Sequence, residues 1–239
     1  MGAPETLKEE MEQNPWISIW VKPRATIARL VEDNPNRSLW LLAAIYGFCS
    51  LMNLFQSAAL GNAMGSVGVL ILAIILSPFW GYISFTIWSW FVSWVGKWFK
   101  GQAPFTHIRS AYAWSCVPIT LNIPLWLLMV ILFGHQLFLN FPDAHLLKDS
   151  QVLLLFLILI AKVILAVWSL VIYLNALAEV QKFSVLRAIL NVIVAGVILA
   201  VILFVLWSLL IYAIGGSVQQ TPTAYLLEGT FYQTLRRGL

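Results

Sequence analysis

Between Arg37 and Lys97 the chain carries no Asp, Glu, Lys or Arg, and the same holds between Arg187 and Glu228. A soluble domain must place solvated side chains on its outer faces. The hydrocarbon core of a bilayer needs none, and it accepts about 20 apolar residues per helical crossing. Composition agrees: 61% of the 239 residues are hydrophobic and 10% are charged, against roughly 25% charged in soluble domains. The mean hydropathy is +0.86. The chain therefore reads as an all-α integral membrane protein. This excludes a nucleic-acid-binding domain, a soluble Rossmann-type enzyme and a secreted module built on disulfides.

Five apolar stretches are long enough to cross: 38–60, 67–95, 108–133, 152–178 and 188–214. An odd number puts the termini on opposite sides. One side collects Lys8, Lys22, Arg24, Arg29, Arg37, Lys97, Lys100, Arg109, Lys182 and Arg187, and the other only Lys148, Arg236 and Arg237. The positive-inside rule then expects a cytoplasmic N-terminus and an extracytoplasmic C-terminus. The acidic start, with Glu5, Glu9, Glu10 and Glu12, lacks the basic n-region of a cleavable signal peptide. Four segments follow: an N-terminal cytoplasmic tail (1–14), an interfacial amphipathic helix (15–37), the five-helix membrane domain (38–214) and an extracytoplasmic tail (215–239), where Tyr225, Phe231 and Tyr232 suit a membrane surface.

In the interfacial segment Trp16, Ile19, Trp20, Ile27 and Leu30 recur at helical spacing, with Lys22, Arg24 and Arg29 at polar positions. Such a helix lies in the headgroup layer, drawn to anionic lipid. Pro23 breaks it into two pieces or starts the second. In the second span Pro78 leaves a carbonyl that a neighbouring group must satisfy. Ala73, Ser77 and Gly81, continued by Ser89 and Ser93, form a small-residue stripe that permits close helix approach. Pro118 and Pro124 flank Asn122 in the third span, a pattern for a kinked helix or an unwound segment lining a cavity. Trp40, Trp88, Trp90, Trp94 and Trp98 crowd one membrane boundary as an aromatic belt. Cys49 and Cys116 sit inside apolar spans, as core residues.

No catalytic, cofactor-binding or metal constellation is present. His107, His135 and His145 are isolated, and Asp143 with His145 makes only a loop pair. The residue that breaks the apolar rule is Lys162, about 15 Å deep in the fourth span at 1.5 Å per residue. Intramembrane cations face a bundle interior and often mark function. Lys162, Ala166, Ser169, Tyr173 and Ala176 form one small and polar stripe. Measured from the cytoplasmic side, Lys162 lies at about 24 Å, Asn53 at about 22 Å, Gln56 at about 27 Å and Asn122 at about 21 Å. No intramembrane carboxylate is available. The expected polar site is thus Lys162, Asn53, Gln56, Asn122, Ser169 and Tyr173, facing an anionic headgroup, a proton path or simply its own amides. Ser57 extends the amide cluster, and Glu179 is expected to pair with Lys182 or Arg187 across the last turn.

Three segments of the basic side carry a family resemblance. They are Pro15-Trp16-x-x-x-Trp20-x-x-Pro23-Arg24-x-Thr26; the loop 101–105 followed by Ala111-Tyr112-Ala113 and Pro118; and Leu177-Ala178-Glu179-Val180-Gln181-Lys182-Phe183-Ser184 before Arg187-Ala188. In this order across five spans they resemble the Yip domain family. The resemblance implies a non-enzymatic five-helix membrane protein with a cytoplasmic N-terminus. Eukaryotic members associate with prenylated Rab-type GTPases in vesicle traffic between endoplasmic reticulum and Golgi. Fewer than forty residues precede the first span here, which looks like the short bacterial form, some of whose members are associated with envelope transport machinery. Lys182 stands where the family usually has glycine.

Two functional expectations follow. The first is an adaptor or accessory subunit in the bacterial inner membrane, self-associating or bound to another membrane protein, with Trp20, Arg24, Glu179 and Phe183 as its cytoplasmic partner surface. The second is a carrier or channel for an anionic lipid or small solute, built around Lys162. Membrane lipids are the expected partners of either, with no nucleic acid and no cofactor. A cavity reaching Lys162 distinguishes the second from the first.

Overall fold

The computed structural model describes residues 14–139 and 148–219, with side chains as far as residue 213 in the last helix. Asp143, His145, Tyr225, Phe231 and Tyr232 lie outside these residues. The chain forms two compact units, Met1–Ile193 and Val194–Leu239. Among the described residues five helical stretches are long and apolar enough to span a membrane: Leu39–Ser57, Ser66–Trp98, Phe105–Phe138, Asp149–Gln181 and Val185–Ala213. Each coincides with an expected span.

Among the described residues two short helices come first, α1 (Pro15–Ser18) and α2 (Pro23–Asp33). Each has proline at its first turn, where the missing N–H costs nothing, and the Asn14 side chain accepts from the Trp16 N–H to cap α1 (3.0 Å). The amphipathic face expected to enter lipid is instead turned onto protein. Ile19 and Ile27 are fully buried and Leu30 nearly so, because α2 packs on the fourth span and on the start of the third. Trp16 meets Trp114 edge-on at 5.4 Å. Helical periodicity identifies an apolar face without saying whether lipid or protein covers it.

The first span, α3 (Leu39–Ser57), and the second, α4 (Ser66–Trp98), form the most extensive helix pair. Their surfaces meet backbone to backbone: a Cβ on Gly47 would overlap the Ser77 carbonyl oxygen, and one on Gly81 the Ala43 carbonyl oxygen. The small-residue stripe of α4 is buried along its length, from Ala73 through Ser77 and Gly81 to Ser89. Pro78 does not end the helix. The carbonyl it leaves unpaired, four residues back at Ile74, accepts from the Ser77 hydroxyl at 2.8 Å, a local repair typical of membrane helices.

The third span is broken, as its prolines lead one to expect. It consists of α5 (Phe105–Ser115), a 3-10 turn (Val117–Leu121) and α6 (Asn122–Phe133), followed by a second 3-10 turn (Gly134–Phe138). Pro118 cannot donate, and Ile119 turns its N–H to Cys116 (2.9 Å). The Ser115 carbonyl thereby left over accepts from Ser169 of the fourth span at 2.7 Å. Cys49 and Cys116 are buried free thiols.

The fourth span is α7 (Asp149–Gln181), and a tight turn leads to α8 (Val185–Gln219). Lys182 makes that turn with φ +55°, the left-handed conformation that glycine adopts without strain. Lysine is thus held in a conformation for which glycine is suited, and its ammonium pairs with Glu179 at 2.7 Å. The second unit continues α8. Residues 194–213 are apolar on every side, and their one serine, Ser208, bonds back to the Phe204 carbonyl (2.9 Å).

Candidate functional site

A cavity of about 540 Å³ lies at the level of the break in the third span, within the size range of ordinary ligand sites. The first span supplies Tyr46, Cys49, Ser50, Asn53 and Gln56. Ile119, Asn122 and Met129 come from the broken span, and Leu155, Ile158, Leu159, Lys162, Val163 and Ala166 from α7. Asn53, Leu159, Val163 and Ala166 are exposed at membrane depth, so the cavity opens sideways between α3 and α7.

Four residues of the expected polar site meet here: Lys162, Asn53, Gln56 and Asn122. The depth argument brought them to one level. The fold brings them to one cavity because the unwound turn carries Asn122 between the two helices. Ser169 and Tyr173 do not join them. Ser169 satisfies the Ser115 carbonyl, and the Tyr173 hydroxyl accepts from Trp88 Nε1 at 3.1 Å. The stripe read along α7 therefore divides, with Lys162 and Ala166 at the cavity and Ser169 and Tyr173 in the closed core. Trp88 accordingly leaves the aromatic belt for the interior, whereas Trp90, Trp94 and Trp98 remain exposed in contact with one another.

The Lys162 ammonium sits 3.6 Å from the centroid of the Trp126 ring. A cation over an indole face gains about 0.5–2 kcal/mol, more as water is excluded, which offsets part of the cost of placing it at this depth. Trp126 is fully buried. It was not singled out in the sequence, although it lies one turn after Asn122 on the same helix, a spacing that puts both on one face. The same reasoning finds Cys49 and Tyr46, one and two turns before Asn53.

The amide groups are unevenly matched. Asn53 Nδ2 donates to the Cys49 carbonyl of its own helix (2.9 Å). Asn122 Oδ1 and Trp126 Nε1 are buried and have no hydrogen-bond partner. A buried polar atom left unpaired costs about 1–3 kcal/mol, so the cavity presents a cation together with an unmet acceptor, Asn122 Oδ1. Among the described residues no group of three His, Cys, Asp or Glu comes within reach of one metal ion.

The expected partner surface has a different character. Arg24 Nε donates to Asn175 Oδ1 at 3.3 Å and ties α2 to α7. Phe183 N–H donates to the Ala178 carbonyl at 3.1 Å and closes the last turn. Gln181, almost fully buried, accepts from the Ala103 N–H at 3.2 Å and lies against Gly96 and Gly101, where a Cβ would overlap its amide. The loop glycine and the Glu-Val-Gln-Lys-Phe-Ser run thus serve one knot joining two loops. Arg109 makes a second tie, donating to Tyr82 Oη at 3.0 Å and to Asn36 Oδ1 at 2.9 Å.

No curated protein and no solved structure matches the chain significantly. The family model described as the Yip1 domain matches residues 17–209. This span takes in the Trp20 and Arg24 segment, the Gln181 knot, the broken third helix and the cavity around Lys162, and on that match the chain belongs to the Yip1 domain family.

Proposed function

We propose that this protein is a non-enzymatic carrier or accessory subunit that holds the anionic head of an amphiphile in the cavity around Lys162. The observation that carries the reading is the cavity itself. A lysine kept only for structure would be packed in, whereas Lys162 lines about 540 Å³ of open space beside an unmet amide oxygen. The sideways opening suits a ligand arriving from the bilayer. Apolar Leu155, Leu159 and Val163 beside the polar residues suit a molecule with a head and a chain. Among the described residues Lys162 is the only formal charge in the lining, which favours a singly charged head. The test is native mass spectrometry of protein released from its own membrane. Wild type should retain an anionic lipid that Lys162→Met loses. Equal lipid retention by both would overturn the reading.

The adaptor reading rests on a separate observation. The Gln181 knot makes a firm platform that leaves Lys97, Lys100, Lys182 and Arg187 exposed, a basic surface suited to an acidic partner, with Trp20 and Phe183 half-buried at its edge. In this reading the platform faces the cytoplasm of a bacterial cell. Co-purification of wild type and Arg24→Ala tests it: a partner lost on removing Arg24, with the fold intact, supports recruitment through this surface.

A further inference from the structure

We propose a second anion site, distinct from the Lys162 cavity, that binds a phosphate group where α1, α2 and the approach to α3 meet. A pocket of about 220 Å³ there is lined by Pro15, Ser18, Thr26, Arg29, Leu30, Asp33 and Arg37. Two guanidinium groups and two hydroxyls converge on it. Guanidinium presents planar, forked donors that match the oxygens of a phosphate in pairs.

The hydroxyls are held in place rather than free to rotate away. Ser18 and Thr26 are buried, and their oxygens lie 2.9 Å apart. Thr26 Oγ1 is also 2.8 Å from the Lys22 carbonyl. A threonine hydroxyl has one hydrogen. When Thr26 gives it to Ser18, the Ser18 hydrogen is released for a ligand in the pocket; when Thr26 gives it to Lys22, Ser18 donates to Thr26. The pair can therefore switch from closed on itself to donating into the cavity with no movement of the backbone.

Position favours a phosphate. Arg37 stands three residues before Trp40, an exposed indole at the start of the first span. Interfacial tryptophans mark headgroup depth, and three residues of chain place Arg37 at the phosphate layer just beyond. Among the described lining residues Asp33 is the one anion. It holds Arg37 by a single long contact of 3.4 Å, with both side chains more than half exposed. Solvent screens such a pair, and a phosphate oxygen gripped by two guanidinium groups displaces it. The ligand class is a phosphate mono- or diester, supplied by a phospholipid headgroup or by a soluble phosphate.

The test is calorimetric titration of delipidated full-length protein with dihexanoyl phosphatidic acid, dihexanoyl phosphatidylcholine and inorganic phosphate. Every protein titrated carries Lys162→Met, which removes the charge of the intramembrane cavity, and the variants added to it are Arg29→Gln/Arg37→Gln and Asp33→Asn. The expected result is binding that weakens at least tenfold in the arginine double variant and tightens severalfold with Asp33→Asn. Tightening in Asp33→Asn also separates this site from a cation site, which would weaken. Binding of the lipids alone identifies a headgroup site, and equal binding of inorganic phosphate identifies a soluble ligand; both support the proposal. Arginine-directed labelling by phenylglyoxal, read by mass spectrometry on wild type, needs no variant. Ligand should protect Arg29 and Arg37 and leave Arg187 reactive. Unchanged affinity in the double variant, or no protection of either arginine, overturns the proposal.

Discussion

The α3–α4 seam and the Lys162 cavity share the first span and are built on opposite principles. At the seam, Gly47 and Gly81 bring the two backbones together and leave no room for a methyl group. At the cavity, one or two turns further along α3, the same helix faces open space, a cation and one unpaired amide oxygen. In a bilayer no hydrophobic force drives helices together, so a seam holds by close van der Waals fit and the hydrogen bonds made across it, here from Trp80 Nε1 to Ser50 Oγ at 3.1 Å. A region given up to polar groups and a break in the chain forgoes that fit. The stability of the bundle is concentrated in the first pair, and the cavity can be loose because the seam is not.

This contrast can be broken first at the seam. Gly81→Val should destabilise the protein by about 3 kcal/mol, the upper range for overpacking a close contact, read as a lowered midpoint in detergent denaturation. A midpoint unchanged from wild type would mean that the helices are free to separate. The cavity should respond in the opposite direction. Asn122→Leu keeps the side-chain branching and removes a buried unpaired oxygen, so it should stabilise by about 1–2 kcal/mol while lowering lipid retention. A loss of stability would show that Asn122 is structurally bonded rather than waiting for a ligand. Ser77→Ala leaves the Ile74 carbonyl unpaired beside Pro78, and about 0.6–1 kcal/mol of destabilisation is expected from the usual strength of hydrogen bonds within membranes. Smallest is Lys182→Gly, which relieves a left-handed residue and loses a surface ion pair. A gain of about 0.5 kcal/mol is expected, since glycine adopts that backbone freely. A clear loss would mean that the Glu179 pair outweighs the strain.

Much of the bundle is legible in the residues. Charge-free runs mark the spans because nothing else accommodates them. Ser77 beside Pro78 announces its own repair, and two prolines around Asn122 announce the break. The agreement in depth of Lys162, Asn53, Gln56 and Asn122 follows from the constant rise of a helix. What could not be read is rotation about each helix axis. Ser169 and Tyr173 stand on a plausible face with Lys162, yet they turn into the core once α7 meets α5 and α4. The apolar face of α1 and α2 suits lipid as well as protein, and only the docked structure shows protein. Trp126 lies within reach of the spacing rule, one turn after Asn122 on the same helix, but that this face meets Lys162 depends on how the helix is rotated in the bundle.

By itself the sequence determined the membrane class, the number and order of the spans and the irregularity of the third. All of these depend on local hydropathy and on backbone chemistry within a few residues. Tertiary structure alone decided that Lys162 rests on Trp126 beside an open cavity, that Gln181 joins two loops into one knot, and that Ser18, Thr26, Arg29 and Arg37 share a pocket. These depend on how each helix is turned against its neighbours. Close fit between helices sets that rotation, and it involves residues too distant in the chain for any local pattern to encode.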